Sequence, residues 1–259
     1  MKRIPLLFAP LLTCQVAFAE DEETVNRSAS ESNKRNWKIV AGAGIASVPR
    51  YEGAATNRLR GVPLLDVEYG RWFAGTSRGI GYNFSDTPHL QYGPRLSVSP
   101  YRRQTADARL NGMGDIGYGA EFGGFLNARF APWYVASSLA SGSHGARLEA
   151  EGGYEIQLSA ADRVRFGAAV NWGNGKYMQT YFGVTAPQAT ASGGVLSAYN
   201  AGSGLKDYEL KAGWNHAFTR AWFGNATLTY KQLAGSAKNS PLALRNASTA
   251  VSLVVGYRF

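Results

Sequence analysis

The last ten residues of the chain form a strand pattern that ends on an aromatic residue. Apolar side chains occupy every second position, whereas Ser252, Gly256 and Arg258 fall on the other face. The apolar positions are Val251, Leu253, Val255, Tyr257 and Phe259. A strand of a transmembrane barrel needs a lipid-facing row, a lumen-facing row and an aromatic residue at the membrane interface. The pattern therefore favours the closing strand of an outer-membrane barrel over a strand of a soluble sandwich.

The amino end of the chain predicts export from the cytoplasm. Lys2 and Arg3 form a basic start, an apolar stretch broken by prolines follows, and residues 17–19 read Ala-Phe-Ala before Glu20. These are the parts of a cleavable secretory signal peptide, and the apolar stretch is too short for a membrane helix. The single cysteine, Cys14, lies inside it, so cleavage predicts a mature chain without disulfides. Lipid attachment at Cys14 is the alternative, which the residue before it disfavours.

The chain is predicted to have three parts. Residues 1–19 form the signal peptide, residues 20–36 a polar periplasmic tail, and residues 37–259 one barrel in the outer membrane. The formal net charge is +9, but the basic residues are scattered singly, which argues against nucleic acid as a partner. Outer-membrane lipid, lipopolysaccharide and cell-wall polymer are the predicted charged partners.

Period-two segments separated by Gly, Pro, Asn and Asp recur from residue 37 onward. They predict an all-β, transmembrane, antiparallel up-and-down barrel of about twelve strands, with about ten as the alternative. The predicted strands are 37–46, 61–69, 71–83, 90–102, 117–127, 132–140, 146–158, 163–172, 176–184, 206–217, 221–233 and 250–259. With both termini in the periplasm, the long connections 47–60, 185–205 and 234–249 would face outward. The long stretch 103–116 would then be periplasmic, which indicates a functional loop or a strand count in error by two.

The tryptophans provide a check of this topology. Five of the six lie near the predicted periplasmic end, as an aromatic girdle requires, and Trp133 would lie on the outer side. The five are Trp37, Trp72, Trp172, Trp214 and Trp222. Residues 173–175 are predicted to form one of the short periplasmic turns.

No catalytic, cofactor or metal site is predicted, so the chain is expected to be non-enzymatic. His89, His144 and His216 lie at no ligand spacing, and no serine has the G-x-S-x-G context of a hydrolase. The glycine string 112–117 precedes a strand instead of opening a helix, which excludes a dinucleotide-binding motif.

Charged side chains on the predicted lumen face are the main chemical feature. Segments 146–158 and 163–172 are neighbours, so acidic residues of the first are expected to face arginines of the second. The candidate residues are Glu149, Glu151, Glu155, Arg163, Arg165, Asp207, Glu209 and Lys211. Two interpretations remain open: a salt-bridged interior that fills the barrel, and a charged pathway for small solutes.

The outward loops 47–60 and 234–249 are expected to be neighbours, because the first and last strands must pair to close the barrel. Arg50, Tyr51 and Glu52 in the first loop are candidate contacts with an external partner. The alternative is a packed loop plug that stabilises the rim.

Short motifs follow one another over nearly the whole predicted mature chain. They are 49–53 (PRYEG), 63–66 (PLLD), 79–82 (GIGY), 93–96 (GPRL), 110–116 (LNGMGDI), 181–185 (YFGVT), 199–207 (YNAGSGLKD), 240–242 (SPL) and 256–259 (GYRF). In this order they resemble the MipA/OmpV family of outer-membrane proteins.

The resemblance implies an outer-membrane barrel with a scaffolding role in cell-wall growth. The partners it implies are a membrane-bound lytic transglycosylase and a peptidoglycan synthase. Other members of the family are described as antigens, adhesins or porin-like proteins, so a channel and an adhesin are the alternatives. The family offers no agreed catalytic residues to carry over.

Overall fold

The computed structural model describes residues 37–259, which form a closed antiparallel barrel of twelve strands. The predicted signal peptide and tail lie outside the described residues. The strands are β1 (Trp37–Pro49), β2 (Asn57–Tyr69), β3 (Trp72–Gly75), β4 (Gly79–Tyr82), β5 (Leu90–Val98), β6 (Ala120–Phe130), β7 (Trp133–Gly142), β8 (Gly145–Gln157), β9 (Asp162–Gly173), β10 (Gly204–Ala217), β11 (Trp222–Leu233) and β12 (Ala247–Arg258). Successive strands pair with each other, and β1 pairs with β12 to close the barrel. The predicted fold is therefore confirmed, with β12 as the closing strand.

The side chains of each strand alternate between an apolar outer face and an inner face. In β12, Val251 and Leu253 are exposed on the outside, whereas Ser252 and Val254 are buried inside. The barrel thus exposes a broad apolar outer surface, as burial in hydrocarbon requires.

The two ends of the barrel differ in the length of their connections. The end that carries Trp37 and Phe259, here called the turn end, has the short connections 70–71, 83–89, 131–132, 158–161 and 218–221. The opposite end, here called the loop end, has the three longest connections, 99–119, 174–203 and 234–246, together with the loop 50–56 and the tight turns 76–78 and 143–144. Bacterial barrels have short periplasmic turns and long outer loops, so we orient the turn end toward the periplasm.

One predicted strand, 71–83, is in fact two. It consists of β3 and β4, each four residues long, joined by a turn at 76–78. Gly79 follows this turn with φ at 75°, a left-handed conformation that favours glycine. The apolar alternation continues on both sides of the turn, which is why the sequence pattern concealed it.

Another predicted strand, 176–184, is a helix instead. It is α1 (Gly175–Phe182), and the side chain of Asn174 caps it by accepting the amide of Tyr177 at 2.9 Å. The buried residues of the helix are Tyr177, Met178, Tyr181 and Phe182, a helical spacing that alternation alone does not separate from a strand. The signal that identifies the helix is the Asn cap.

These two errors cancel in the strand count but reverse the direction of every strand between them. The stretch 103–116 therefore lies at the loop end with the other long connections, which removes the conflict found in the sequence. Trp133 begins a strand at the turn end and Trp172 lies near the loop end, so both were placed wrongly. Residues 173–175 are not a periplasmic turn, because they lead into the loop-end connection 174–203.

The loop-end connections pack into a cap over the barrel. The cap contains α1, α2 (Ala186–Ala191), α3 (Gly235–Lys238) and two short 3-10 turns. One of its hydrophobic clusters takes residues from the loops 50–56, 99–119, 174–203 and 234–246, namely Tyr51, Ala54, Leu110, Met113, Val184, Leu196 and Leu242. A second cluster joins the buried side chains of α1, including the fully buried Phe182, to Ala201, Leu233 and Ala237. None of the helices within 37–259 is long and apolar enough to cross a membrane.

Candidate functional site: the charged lumen beneath the cap

A cavity of about 970 Å³ occupies the interior of the barrel. It extends from the underside of the cap, at Tyr51 and Tyr181, to the turn end, at Arg71 and His89. Acidic and basic side chains from most of the strands line it, and their arrangement determines what the cavity can bind.

The strands β8 to β11 carry a chain of ion pairs, here called the charge zipper. At its upper end, Lys206 Nζ lies 2.6 Å from Glu52 Oε1 and 3.0 Å from Asp207 Oδ2. Lys231 Nζ lies 3.1 Å from Glu52 Oε1 and 2.9 Å from Glu209 Oε1. Glu52 belongs to the loop 50–56, so these contacts tie the cap to β10 and β11.

The charge zipper continues down the lumen through Lys211. Its Nζ lies 3.2 Å from Glu209 Oε2 and 2.7 Å from Glu151 Oε2. Arg165 Nη2 approaches Glu151 Oε1 at 3.7 Å, and the Tyr134 hydroxyl donates to the same oxygen at 2.8 Å. The guanidinium of Arg165 also stacks on the Tyr134 ring, 3.5 Å from its centroid. The charge zipper thus alternates four carboxylates with four cations.

Mutual pairing is what allows these charges to be buried. Asp207 is fully buried, and Asn171 Nδ2 donates to its Oδ1 at 2.5 Å in addition to the contact with Lys206. Removing one partner of a buried ion pair costs about 3–5 kcal/mol, because the other charge stays without compensation. The charge zipper is therefore a rigid part of the lumen wall, and its charges largely neutralise one another.

Titration in the cap follows from burial and from neighbouring charges. Burial acts to raise the pKa of Glu52, but the ammonium groups of Lys206 and Lys231 outweigh burial and lower the pKa below its ordinary value. Burial, assisted by the carboxylate of Asp107, raises the pKa of Tyr51 to about 12. At neutral pH Glu52 is therefore ionised, and the Tyr51 hydroxyl keeps its proton for hydrogen bonding.

Smaller ion pairs complete the lumen. Arg147 Nη2 lies 3.0 Å from Glu121 Oε2, and the same guanidinium pairs with Glu149. Near the turn end, Arg163 Nη1 lies 3.3 Å from Glu155 Oε1. Glu121 is 1% exposed, so Arg147 compensates a charge that water does not reach.

Each lumen charge selected from the sequence takes part in one of these ion pairs. Of the expected cross-strand contacts, Glu155 with Arg163 and Glu151 with Arg165 are present, whereas Glu149 pairs with Arg147 on its own strand. These observations give the positions of the residues and leave their role open.

Sequence reasoning missed Lys206. The pairing of β10 with β9 shifts register between Leu205 and Asp207, so Lys206 and Asp207 are adjacent in sequence and both buried. A bulge of this kind breaks the two-residue period on which the prediction depended. The sequence pattern carried no signal for it.

The three candidate loop contacts have different positions. Arg50 stays exposed, whereas Tyr51 is 7% exposed and its hydroxyl donates to the Leu242 carbonyl at 3.0 Å. The Glu52 side chain points into the lumen, where it is part of the charge zipper. The two loops are neighbours as expected, since the Leu244 amide donates to the Gly53 carbonyl at 2.8 Å. These positions favour the alternative of a packed plug, and the external contact at Arg50, Tyr51 and Glu52 stays a prediction.

A serine and a histidine that the sequence did not connect meet below the cap. Ser99 Oγ lies 2.8 Å from His144 Nδ1 and accepts the Gly119 amide at 2.9 Å. Ser99 is 1% exposed, and no carboxylate within 37–259 forms a hydrogen bond with His144. The pair anchors both ends of the loop 99–119. In the same range, no group of three or more His, Asp or Glu residues could hold a metal ion.

A comparison with known protein families shows which family this barrel matches. Residues 41–259 match the family described as MltA-interacting protein MipA. This match covers all of the described residues except the first few, 37–40. The chain belongs to the MipA family. The resemblance found in the short motifs is thereby confirmed. No curated protein gives a significant match to this MipA family member.

Solved structures with a similar architecture are outer-membrane proteins. An outer-membrane channel from Pseudomonas putida F1 is 9% identical over 91% of this chain and 100% of its own, with a TM-score of 0.45. A bacterial polysaccharide outer membrane secretin is 12% identical over 86% and 97%, with a TM-score of 0.42. A FadL homologue from Pseudomonas aeruginosa is 9% identical over 85% and 89%, with a TM-score of 0.36. At these values the similarities carry no argument about the function of this MipA family member.

Proposed function

We propose that this barrel is a non-enzymatic outer-membrane scaffold that holds peptidoglycan-remodelling enzymes on its periplasmic side. The observation that carries the proposal is the closed loop end, where four loops share one hydrophobic cluster over the lumen. A barrel sealed toward the outside, with a cavity that extends to the turn end, suits the binding of a periplasmic partner better than free passage of solutes.

The turn end offers a suitable surface for such a partner. Arg71 and Arg220 lie in its short connections, and Arg163 and Arg258 lie at the adjoining strand ends; Arg71 pairs with Asp86 and Arg163 with Glu155. Exposed aromatic rings surround them, including Trp37. Basic and aromatic side chains together favour an acidic protein surface. The family description names MltA, and the resemblance implies a lytic transglycosylase and a peptidoglycan synthase as the partner classes.

Binding to purified enzymes tests the scaffold. The detergent-solubilised barrel is immobilised, and binding of the organism's membrane-bound lytic transglycosylase and peptidoglycan synthase is measured by biolayer interferometry. Arg71→Glu/Arg220→Glu reverses two charges at the turn end and should weaken binding by about tenfold or more. The control Arg50→Glu/Lys238→Glu makes the same charge change on exposed loop-end residues. Equal binding by both variants, or no binding by the unmodified protein, refutes the scaffold.

A porin-like channel is the second candidate, favoured by the length of the charged cavity. Planar-bilayer recording separates the two proposals. The packed cap leads us to expect silent bilayers, and steady currents whose ion selectivity changes in Glu151→Gln or Arg165→Gln would favour the channel. An adhesin receives less support, since Tyr51 and Glu52 are directed into the protein.

A further inference from the structure

The barrel wall has a notch near the loop end, between β2 and β5. β2 is thirteen residues long, but β3 pairs only with its segment from Asp66 to Tyr69. The short hairpin of β3 and β4 turns back at 76–78, and β5 meets β4 at Arg95 and Leu96. Within the described barrel, residues 57–64 of β2 therefore pair with β1 on one side and with no strand on the other.

The open edge of β2 presents backbone polar groups to the notch. At its lower end Thr76 covers them, because its amide donates to the Leu65 carbonyl at 2.8 Å and its hydroxyl to the Pro63 carbonyl at 3.1 Å. Backbone groups along a strand alternate in direction from one residue to the next, so those of Gly61 and Leu59 face the notch as those of Pro63 and Leu65 do. Unpaired backbone groups are costly in lipid, so this edge requires polar atoms from something that occupies the notch.

Positive charge is concentrated at the notch. Arg58 and Arg60 lie on the inner face of β2, and neither forms an ion pair with a carboxylate within 37–259. Arg58 Nε is buried without a hydrogen-bond partner. Both arginines also line the central cavity, so the inner side of the notch borders the lumen.

The loop 99–119 supplies the opposite side of the notch. Tyr101 and Tyr118 pack together there, with ring centroids 4.8 Å apart and ring planes tilted by 52°. Burial raises the pKa of Tyr118, while the positive charges of Arg60, Arg103 and Arg58 oppose that shift. The arginines of β2 and the phenols of Tyr101 and Tyr118 thus border one region, and Arg103 lies two residues beyond Tyr101 in the extended start of the loop. This donor-rich set suits an anionic oxygen group.

The outer rim of the notch is apolar. Leu59 is 76% exposed and Ile80 is 55% exposed, and Leu96 and Val98 are also exposed beside them. A transmembrane strand crosses the hydrocarbon in about 9–11 residues. Counted from Tyr69 at the turn end, that length places Leu59 close to the outer headgroup layer.

We propose that the notch is a lateral binding site for a phosphorylated membrane lipid. Its phosphate enters among Arg58, Arg60 and Arg103, where it supplies the acceptor that the buried Nε of Arg58 lacks. Its acyl chain leaves across Leu59 and Ile80 into the membrane. The ligand needs both parts, because the arginine cluster and the apolar rim lie on the two sides of the same opening. This site does not depend on the scaffold role proposed above.

Binding of dodecyl phosphate to the full-length barrel tests the proposal. Native mass spectrometry in a neutral detergent compares dodecyl phosphate with inorganic phosphate, which has the same charged group without the chain. We expect retention of one dodecyl phosphate and much weaker retention of inorganic phosphate. Arg58→Gln/Arg60→Gln should weaken binding by about tenfold or more, because two charged donors are lost. The matched control Arg129→Gln/Lys176→Gln, outside the notch, should bind normally.

Three results would overturn the lipid site. Equal affinity for inorganic and dodecyl phosphate would indicate a small-anion site, and equal losses in the two double variants would indicate non-specific attraction. Disulfide-linked dimers formed by Leu59→Cys in a Cys14→Ser background would show that a second copy pairs with the open edge. All variants are first checked for heat-modifiable gel migration, so that a misfolded barrel is not scored.

Discussion

Replacement of Glu52 by glutamine is the sharpest test of how the cap is held on the barrel. Glu52 is the carboxylate of the loop 50–56 that binds two ammonium groups of the barrel wall, Lys206 and Lys231, at 2.6 and 3.1 Å. Glu52→Gln keeps the size of the side chain and an oxygen acceptor but removes the charge. We therefore expect the cap to open more often while the barrel itself stays closed.

The expected magnitude follows from how far the pair is buried. The Glu52 side chain is 34% exposed and that of Lys206 is 9% exposed. Exposed ion pairs contribute about 0–1 kcal/mol, and breaking a buried pair costs about 3–5 kcal/mol. Because Lys206 keeps Asp207 as a partner, we expect an intermediate loss of about 2 kcal/mol, which is a factor of about 30 in the opening equilibrium.

Hydrogen exchange measured by mass spectrometry gives this factor directly. The amides of Leu244 and Arg245 donate to the Gly53 carbonyl and report on contact between the two loops. In Glu52→Gln their exchange should be about 30-fold faster, while exchange in the barrel strands stays unchanged. The control Glu155→Gln breaks a lumen ion pair near the turn end and should leave these amides protected. Unchanged exchange in Glu52→Gln, or equal acceleration in both variants, would refute the reasoning.

The pH dependence, the cap core and the terminal aromatic residue each provide a further test. Because the folded pKa of Glu52 is lowered, its stabilising effect is complete above its ordinary pKa of about 4.3 and is lost as the pH falls through the lowered folded value. Cap exchange, corrected for intrinsic rates, should thus be flat from neutral pH to about pH 5 and rise in stronger acid; an increase already near pH 6 would contradict this assignment. Phe182→Ala removes a fully buried side chain and should destabilise the cap by about 3–5 kcal/mol, measured by exchange, whereas Leu59→Ala on the outer face should cost far less in detergent. Deletion of Phe259 should impair assembly but leave export intact, which appears as protein in the cell envelope without heat-modifiable migration; normal assembly would show that the terminal aromatic residue is dispensable.

The sequence by itself determined the fold class, the closing strand and the inward rows of charge. These features are local, because alternation along one strand decides which side chains face lipid and which face the lumen. The prediction therefore held for β12, and the acidic residues of β8 were placed opposite the arginines of β9. The family followed from motifs that are also local, such as 49–53 and 110–116.

Only the tertiary structure decided the direction of the middle strands, the cap and the partners of each charge. Alternation does not distinguish a strand from the capped helix α1, and it does not show the turn that divides 71–83. The two errors therefore left the strand count correct but reversed the direction of the strands between them. The inward turn of Glu52 depends on Lys206, which lies 154 residues away in sequence and faces inward only because of a bulge. Contacts between residues so distant are set by how the loops pack over the lumen, and no local pattern records that packing.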